Sequence, residues 1–164
     1  MSRLSLARIA LVTAVAGAAP LHGQTRTAST ARPTTVDTLQ QIYQRFLDGL
    51  RLRDTTMYRD LLTPNYIHVF GDSARATFGR AARLAWDAAR TGTISEFRVA
   101  RCDLQIYQNA AVGPCWYRNA GADSGARYDG VGVALVMFVR GAGGRWQIAA
   151  TRPSTASGLP SERR

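Results

Sequence analysis

Residues 95–151 read SEFRVARCDLQIYQNAAVGPCWYRNAGADSGARYDGVGVALVMFVRGAGGRWQIAAT, and nothing in them carries a helical period. Apolar and β-branched residues instead fall into four extended runs, Phe97 to Tyr107, Ala111 to Asn119, Tyr128 to Val139 and Arg145 to Thr151. Runs of this kind, bounded by Gly, Asn and Asp, are strands. Gly141-Ala142-Gly143-Gly144 is a tight connection between the last two, and Ala120–Ala126, with its two glycines, is an exposed tip. Strands joined by such short links lie antiparallel.

The first link also bears on the two cysteines. With Gln108-Asn109 as a two-residue loop, Tyr107 faces Ala110 and, counting back, Cys102 faces Cys115. Directly opposed residues in a non-hydrogen-bonded pair approach to ~4.5 Å between Cα atoms, within disulfide reach. Asn109-Ala110 is not the strongest turn signal, so a slip by one residue, leaving two buried thiols, stays open.

Upstream the period changes. Leu39, Ile42, Tyr43, Phe46, Leu47 and Leu50 recur on one helical face, with Gln40, Gln41, Gln44, Arg45 and Asp48 on the other. Thr35 or Thr38 supplies the N-cap. Asp54 caps a short second helix with Tyr58, Leu61 and Leu62 inward, and Thr63-Pro64-Asn65 stops it. Tyr66 to Phe70 is a strand ended by Gly71-Asp72. A third helix is expected from Thr77 to Arg90, with Phe78, Ala82, Ala85, Trp86 and Ala89 as its apolar side. Helices followed by a run of strands give an α+β fold.

The chain opens differently. Arg3 and Arg8 flank the start of an uncharged, mostly apolar run from Ile9 to Ala19, and small residues follow up to Gly23. That order reads as a secretory signal peptide over residues 1–23, cleaved between Ala18 and Gln24. The run is shorter than the ~20 apolar residues of a membrane span, and no cysteine near the junction offers a lipid site. The mature product is therefore expected to be exported, periplasmic or secreted, and free of the membrane. Residues 24–35 read as a flexible linker, 36–153 as the domain and 154–164 as a disordered tail.

All the basic residues are arginine, 21 against 11 acidic ones, for a formal charge of +10. Such a balance admits nucleic acid, anionic membranes or acidic ligands as partners. The densest groups, Arg51/Arg53/Arg59 and Arg80/Arg83/Arg90, are interleaved with Asp54, Asp60 and Asp87, which reads as solvated helix faces. No nucleic-acid motif accompanies them.

Four stretches in this order, YQRFLDGL at 43–50, LLTPNYIHVFG at 61–71, IYQNAAV at 106–112 and VMFVRGAGGRWQIAA at 136–150, are packing and turn signals. Together they resemble the nuclear transport factor 2-like superfamily, in particular its SnoaL-like, ketosteroid isomerase-related branch, over Val36 to Pro153. The resemblance implies a cone-shaped, curved antiparallel sheet wrapped around the long first helix, with two further short helices and a pocket at the open end. It also implies pairing into a homodimer through the outer sheet face. The related isomerases use an Asp base, a Tyr and a protonated Asp. Those positions fall here near Phe70, with only Asp72 close by, nearer Leu47 than Tyr43, and near Leu135. Isomerase chemistry is thus unsupported.

His68, alone after the leader, shares a strand face with Tyr66 and Phe70, which in such a cone is the pocket side. It reads either as a general base, with Asp72 or Asp103 as partner, or as a hydrogen-bonded wall residue. Asp103 beside Arg101 reads as a pocket acid or as part of a solvated outer face. Tyr43, Tyr66, His68, Phe70, Trp86 and Trp116 are the candidate pocket residues. One histidine and two paired cysteines do not make a zinc or iron site, and no cofactor is expected. The leading expectation is an exported, non-catalytic domain that binds a small apolar ligand or acts through homodimerisation. The alternative is a SnoaL-like lyase, isomerase or hydrolase using His68 with Asp72 or Asp103.

Overall fold

The structure, a computed structural model, describes residues 34–70, 77–156 and 158–159. The proposed leader, most of the linker, Asp72 and the last residues of the tail lie outside the described residues.

The first helix, α1 (Thr35–Leu52), is capped by Thr34, one residue before the nearer expected cap. The Thr34 hydroxyl accepts the Asp37 N–H at 3.1 Å, and the Asp37 carboxylate takes the Thr34 N–H at 2.9 Å. This reciprocal pair satisfies two donors that the first turn would otherwise leave open. Leu39, Tyr43, Phe46, Leu47 and Leu50 are buried along one stripe. Asp54 caps α2 (Thr55–Arg59) by accepting the Thr56 N–H at 2.9 Å. The remaining elements are β1 (Leu62–Val69), β2 (Thr77–Gly79), α3 (Arg80–Ala89), β3 (Thr93–Cys102), β4 (Gln105–Ile106), β5 (Ala110–Asp123), β6 (Ala126–Arg140) and β7 (Trp146–Thr155).

The seven strands form one curved, unclosed sheet in the order β2-β1-β7-β6-β5-β3, with β4 also on β5. Every pairing is antiparallel except β1 with β7, which is parallel. Register shifts within the β3–β5 and β6–β7 pairs are the bends expected of bulges. The sheet edge is fastened to α1 by one side chain. Gln44 donates Nε2–H to the Phe97 carbonyl at 3.1 Å, and its Oε1 accepts the Val99 N–H at 2.8 Å.

Several boundaries differ from the sequence reading. Strand β1 begins at Leu62 and runs through Pro64, which is tolerated because the register against β7 shifts between Leu62 and Ile67. Thr77 to Gly79 leave the helix to pair with β1. The long strand expected over Phe97–Tyr107 is broken at Asp103 and Leu104. The expected tip at Ala120–Ala126 shrinks to a turn at Ser124-Gly125, both with positive φ (49° and 84°), which suits a tight two-residue hairpin. Strand β7 continues past Pro153, pairing Ser154 with Val133 and Thr155 with Gly132.

The expected hairpin register holds. Gln105 pairs with Val112, Ile106 with Ala111 and Cys102 with Cys115, and those cysteines form a disulfide with Cα atoms 4.1 Å apart. Ala111, Gly113, Cys115 and Tyr117 of β5 are buried on the concave face, with Ala134, Val136 and Phe138 of β6. Alternation sends Val112, Pro114 and Trp116 to the other face.

Helix α3 faces opposite to expectation. Its buried residues are Arg83 and Asp87, while Ala82, Ala85 and Ala89 are exposed and Trp86 is 41% exposed. The Arg83–Asp87 ion pair is therefore no solvated face. A helix with alanine on one side has little apolar area to steer it, and the buried ion pair decides its rotation.

Candidate functional site

Helices α1 and α3 and the concave face flank a half-open cavity of about 230 Å³. Tyr43, Phe46, Leu47 and Leu50 of α1 form one wall, Trp86 and Phe70 another, and Ile94, Phe97, Tyr117 and Tyr128 a third. Ala134, Thr151 and Pro153 come from the sheet floor. Phe70 packs edge-on against His68, Phe78 and Trp86 at 4.4, 5.0 and 5.1 Å between centroids. A wider groove of about 610 Å³ at the β5–β6–β7 end shares Tyr117, Asn119, Tyr128 and Pro153 with it. The buried titratable groups converge on the smaller cavity.

Those groups form a connected row. His68 and Thr151 are direct partners in the parallel β1–β7 pair. His68 Nε2 lies 2.7 Å from Arg83 Nη1, and Nδ1 lies 2.8 Å from Thr151 Oγ1. A guanidinium has donors only, so Nε2 accepts, the imidazole proton sits on Nδ1, and Nδ1–H donates to Thr151. The Tyr66 hydroxyl is 2.5 Å from the same Thr151 oxygen. On the other side Arg83 Nε donates to Asp87 Oδ2 at 2.6 Å, and the Tyr58 hydroxyl donates to that oxygen at 2.8 Å. The guanidinium also lies over the Trp86 ring, 5.1 Å from its centroid.

Burial, and then the charge of Arg83, hold His68 down at about pKa 3. It is neutral at ordinary pH, and its only basic lone pair is engaged by a permanent cation. In this arrangement the ring has nothing left with which to take a proton. Burial pushes the Tyr43, Tyr66 and Tyr117 phenols up, and burial and Asp87 do the same for Tyr58. None of these phenols is made acidic. Arg90 lines the cavity, gives Nη2–H to the Leu50 carbonyl at 2.6 Å, and is lowered by burial.

Comparison with known proteins begins with two negatives: no family model matches the sequence, and no curated protein matches it. Solved structures do. An NTF2-like protein of Cytophaga hutchinsonii superposes with a TM-score of 0.65 at 12% identity, over 76% of this chain and 100% of that one. This chain has the NTF2-like fold. A candidate dehydratase of the NTF2-like family from Streptomyces avermitilis gives 0.60 at 18% identity, over 74% and 95% of the two chains. A candidate ketosteroid isomerase from Shewanella frigidimarina gives 0.55 at 16%, over 70% and 92%. At these identities the likeness is one of fold, and the NTF2-like cone explains why the cavity lies between α1 and the sheet.

Of the expected pocket residues, Tyr43, His68, Phe70 and Trp86 line the cavity, and Tyr66 is buried behind it in the His68–Thr151 row. Trp116 does not line it, since it points to the opposite sheet face from Tyr117, which takes its place. Asp103 is not brought to His68. It forms a two-point bond with Arg101, 2.6 Å from Nε and 2.9 Å from Nη2, on a half-exposed edge. At the isomerase positions, Phe70 and Leu47 line the cavity, and on the late strand Ala134 does so while Leu135 points outward. Arg83, Asp87, Tyr58 and Thr151 were missed. The i, i+4 spacing of Arg83 and Asp87 was a visible signal of pairing, though not of burial.

Proposed function

We propose that this protein is an exported, non-catalytic binding domain whose cone holds a small, largely apolar molecule. One observation carries the reading. The cavity is walled by aromatic rings, while both ring nitrogens of His68 at its floor are held, one by Arg83 and the other by Thr151. A floor held in this way fixes the shape of the space, and His68, the general base among the described residues that line it, keeps no free lone pair for proton transfer. The chemistry suggested by the names of two structural neighbours stays with those proteins.

The test is thermal unfolding of the chain from residue 24 with single-ring aromatic compounds. A binder present at about 100 times its Kd adds about 2.7 kcal/mol and raises Tm measurably. Ala134→Phe, which fills the floor, should abolish that rise. No stabilisation by any such compound in wild type, or the same rise in the filled variant, overturns the reading.

Self-association through the outer sheet face is the second reading, and an exposed apolar strip favours it. Ile67, Ala150, Met137 and Val112 are register partners across β1, β7, β6 and β5, and Ile67 and Met137 are 48% and 40% exposed. Leu135, beside them, is 51% exposed. Patches of this kind usually mark contact surfaces. Sedimentation equilibrium should give a dimer that Met137→Arg converts to monomer, and a wild-type monomer at the highest soluble concentration excludes it.

A further inference from the structure

The charge around the cavity is one-sided. Arg83 and Arg90 both line it and, among the described residues, no aspartate or glutamate does. Asp87 stands behind Arg83 and balances one of the two charges, so one positive charge remains uncompensated. His68 faces the same space and, as shown above, adds none.

The donors are also unevenly spent. Arg83 is only 6% exposed, and its Nε and Nη1 are engaged by Asp87 and His68. Its third nitrogen, Nη2, makes no hydrogen bond among the described residues. Arg90 leaves its buried Nε without a partner there too. An unmatched buried donor such as Arg90 Nε is costly, and an anion that accepts from it and from Arg83 Nη2 gains charge-assisted hydrogen bonds.

Size narrows the class. A cavity of roughly 150 Å³ holds benzene, and drug-sized ligands need roughly 300–1,000 Å³. The 230 Å³ here suits one aromatic ring with a short arm. Phe70, Trp86 and Phe97 offer ring faces and edges.

We infer that the cavity takes a small aryl carboxylate, its ring among Phe70, Trp86 and Phe97 and its carboxylate on the free Nη2 of Arg83, with Arg90 adding charge. This rests on the binding reading above and specifies the ligand class.

The experiment is calorimetric titration of the chain from residue 24 with phenylacetate and with phenylacetamide, which share shape and differ in charge. The acid should bind about tenfold to a hundredfold more tightly, the range expected of a charge-assisted hydrogen bond. Arg83→Met should bring the acid to the affinity of the amide. That change orphans Asp87, so Arg90→Met, which leaves the buried ion pair intact, is measured beside it and should weaken the acid selectively, about threefold or more. Equal binding of acid and amide by wild type overturns the carboxylate assignment and leaves the cavity reading standing. If neither binds, and uncharged indole does not either, both are overturned.

Discussion

Removing the Asp87 carboxylate should unfold this domain at a much lower temperature than its size as a single substitution suggests. Asp87 is 2% exposed, and one of its oxygens takes both Arg83 Nε–H at 2.6 Å and the Tyr58 O–H at 2.8 Å. Asp87→Ala leaves a guanidinium buried without its counter-charge, a loss of about 3–5 kcal/mol. The orphaned Tyr58 hydroxyl adds about 1 kcal/mol. For a domain of this length each kcal/mol moves Tm by about 3–5 °C, so the combined loss of about 4–6 kcal/mol lowers Tm by about 12–30 °C. The assay is scanning calorimetry with the disulfide intact. The double variant Arg83→Met/Asp87→Leu removes both charges and should recover about 1–2 kcal/mol relative to Asp87→Ala, although His68 Nε2 then loses its donor. A single variant within about 1 kcal/mol of wild type would refute the reasoning, as would a double variant as costly as the two singles summed.

Acid should weaken wild type through His68. Its folded pKa, about 3, lies below the ordinary value of 6.5, so the unfolded chain binds the proton first. The stabilising contribution is complete above pH ~6.5 and is lost as pH falls towards 3, at up to ~1.4 kcal/mol per pH unit. His68→Gln can still accept from Arg83 and donate to Thr151 without titrating. Urea unfolding at several pH values should therefore show the two stabilities converging in acid, and parallel curves would exclude the mechanism. Gly132→Ala tests the cavity wall, because a Cβ there would collide with the Tyr117 ring. The ring must then move, costing about 1–3 kcal/mol and ligand affinity, which urea unfolding and calorimetric titration of the variant read separately, and a variant unchanged in both excludes the ring as a wall.

The sheet was legible because its signals are local. The two-residue step at Gln108-Asn109 sets the register of the next seven residues, 110–116, and the disulfide follows from counting. The apolar stripe of α1 was legible for the same reason, since Leu39, Tyr43, Phe46, Leu47 and Leu50 leave no second face to bury. The polar floor was not. His68 meets Thr151 only because β1 lies parallel to β7, and no pattern within either strand announces that pairing. Helix α3 misled for a physical reason. Arginine and aspartate read as surface residues one at a time, and their burial as a pair depends on Tyr58 and His68 arriving from other elements. Trp116 and Tyr117 differ by one step along β5, whose alternation is unbroken from Ala111 to Tyr117, so Tyr117 and not Trp116 shares the concave face with Cys115.

The parallel β1–β7 pair has a consequence for the order of assembly. Hairpins β5–β6 and β6–β7 turn over a few residues each, whereas the His68–Thr151 bond closes a separation of 83 residues. Loop-closure entropy delays such non-local pairings in a folding reaction. Strands β3 to β7 can therefore zip into a sheet before β1 docks along its open edge. The histidine, its threonine partner and the arginine that holds them come together only at that last closure, so the binding chamber is the last part of the fold to take shape.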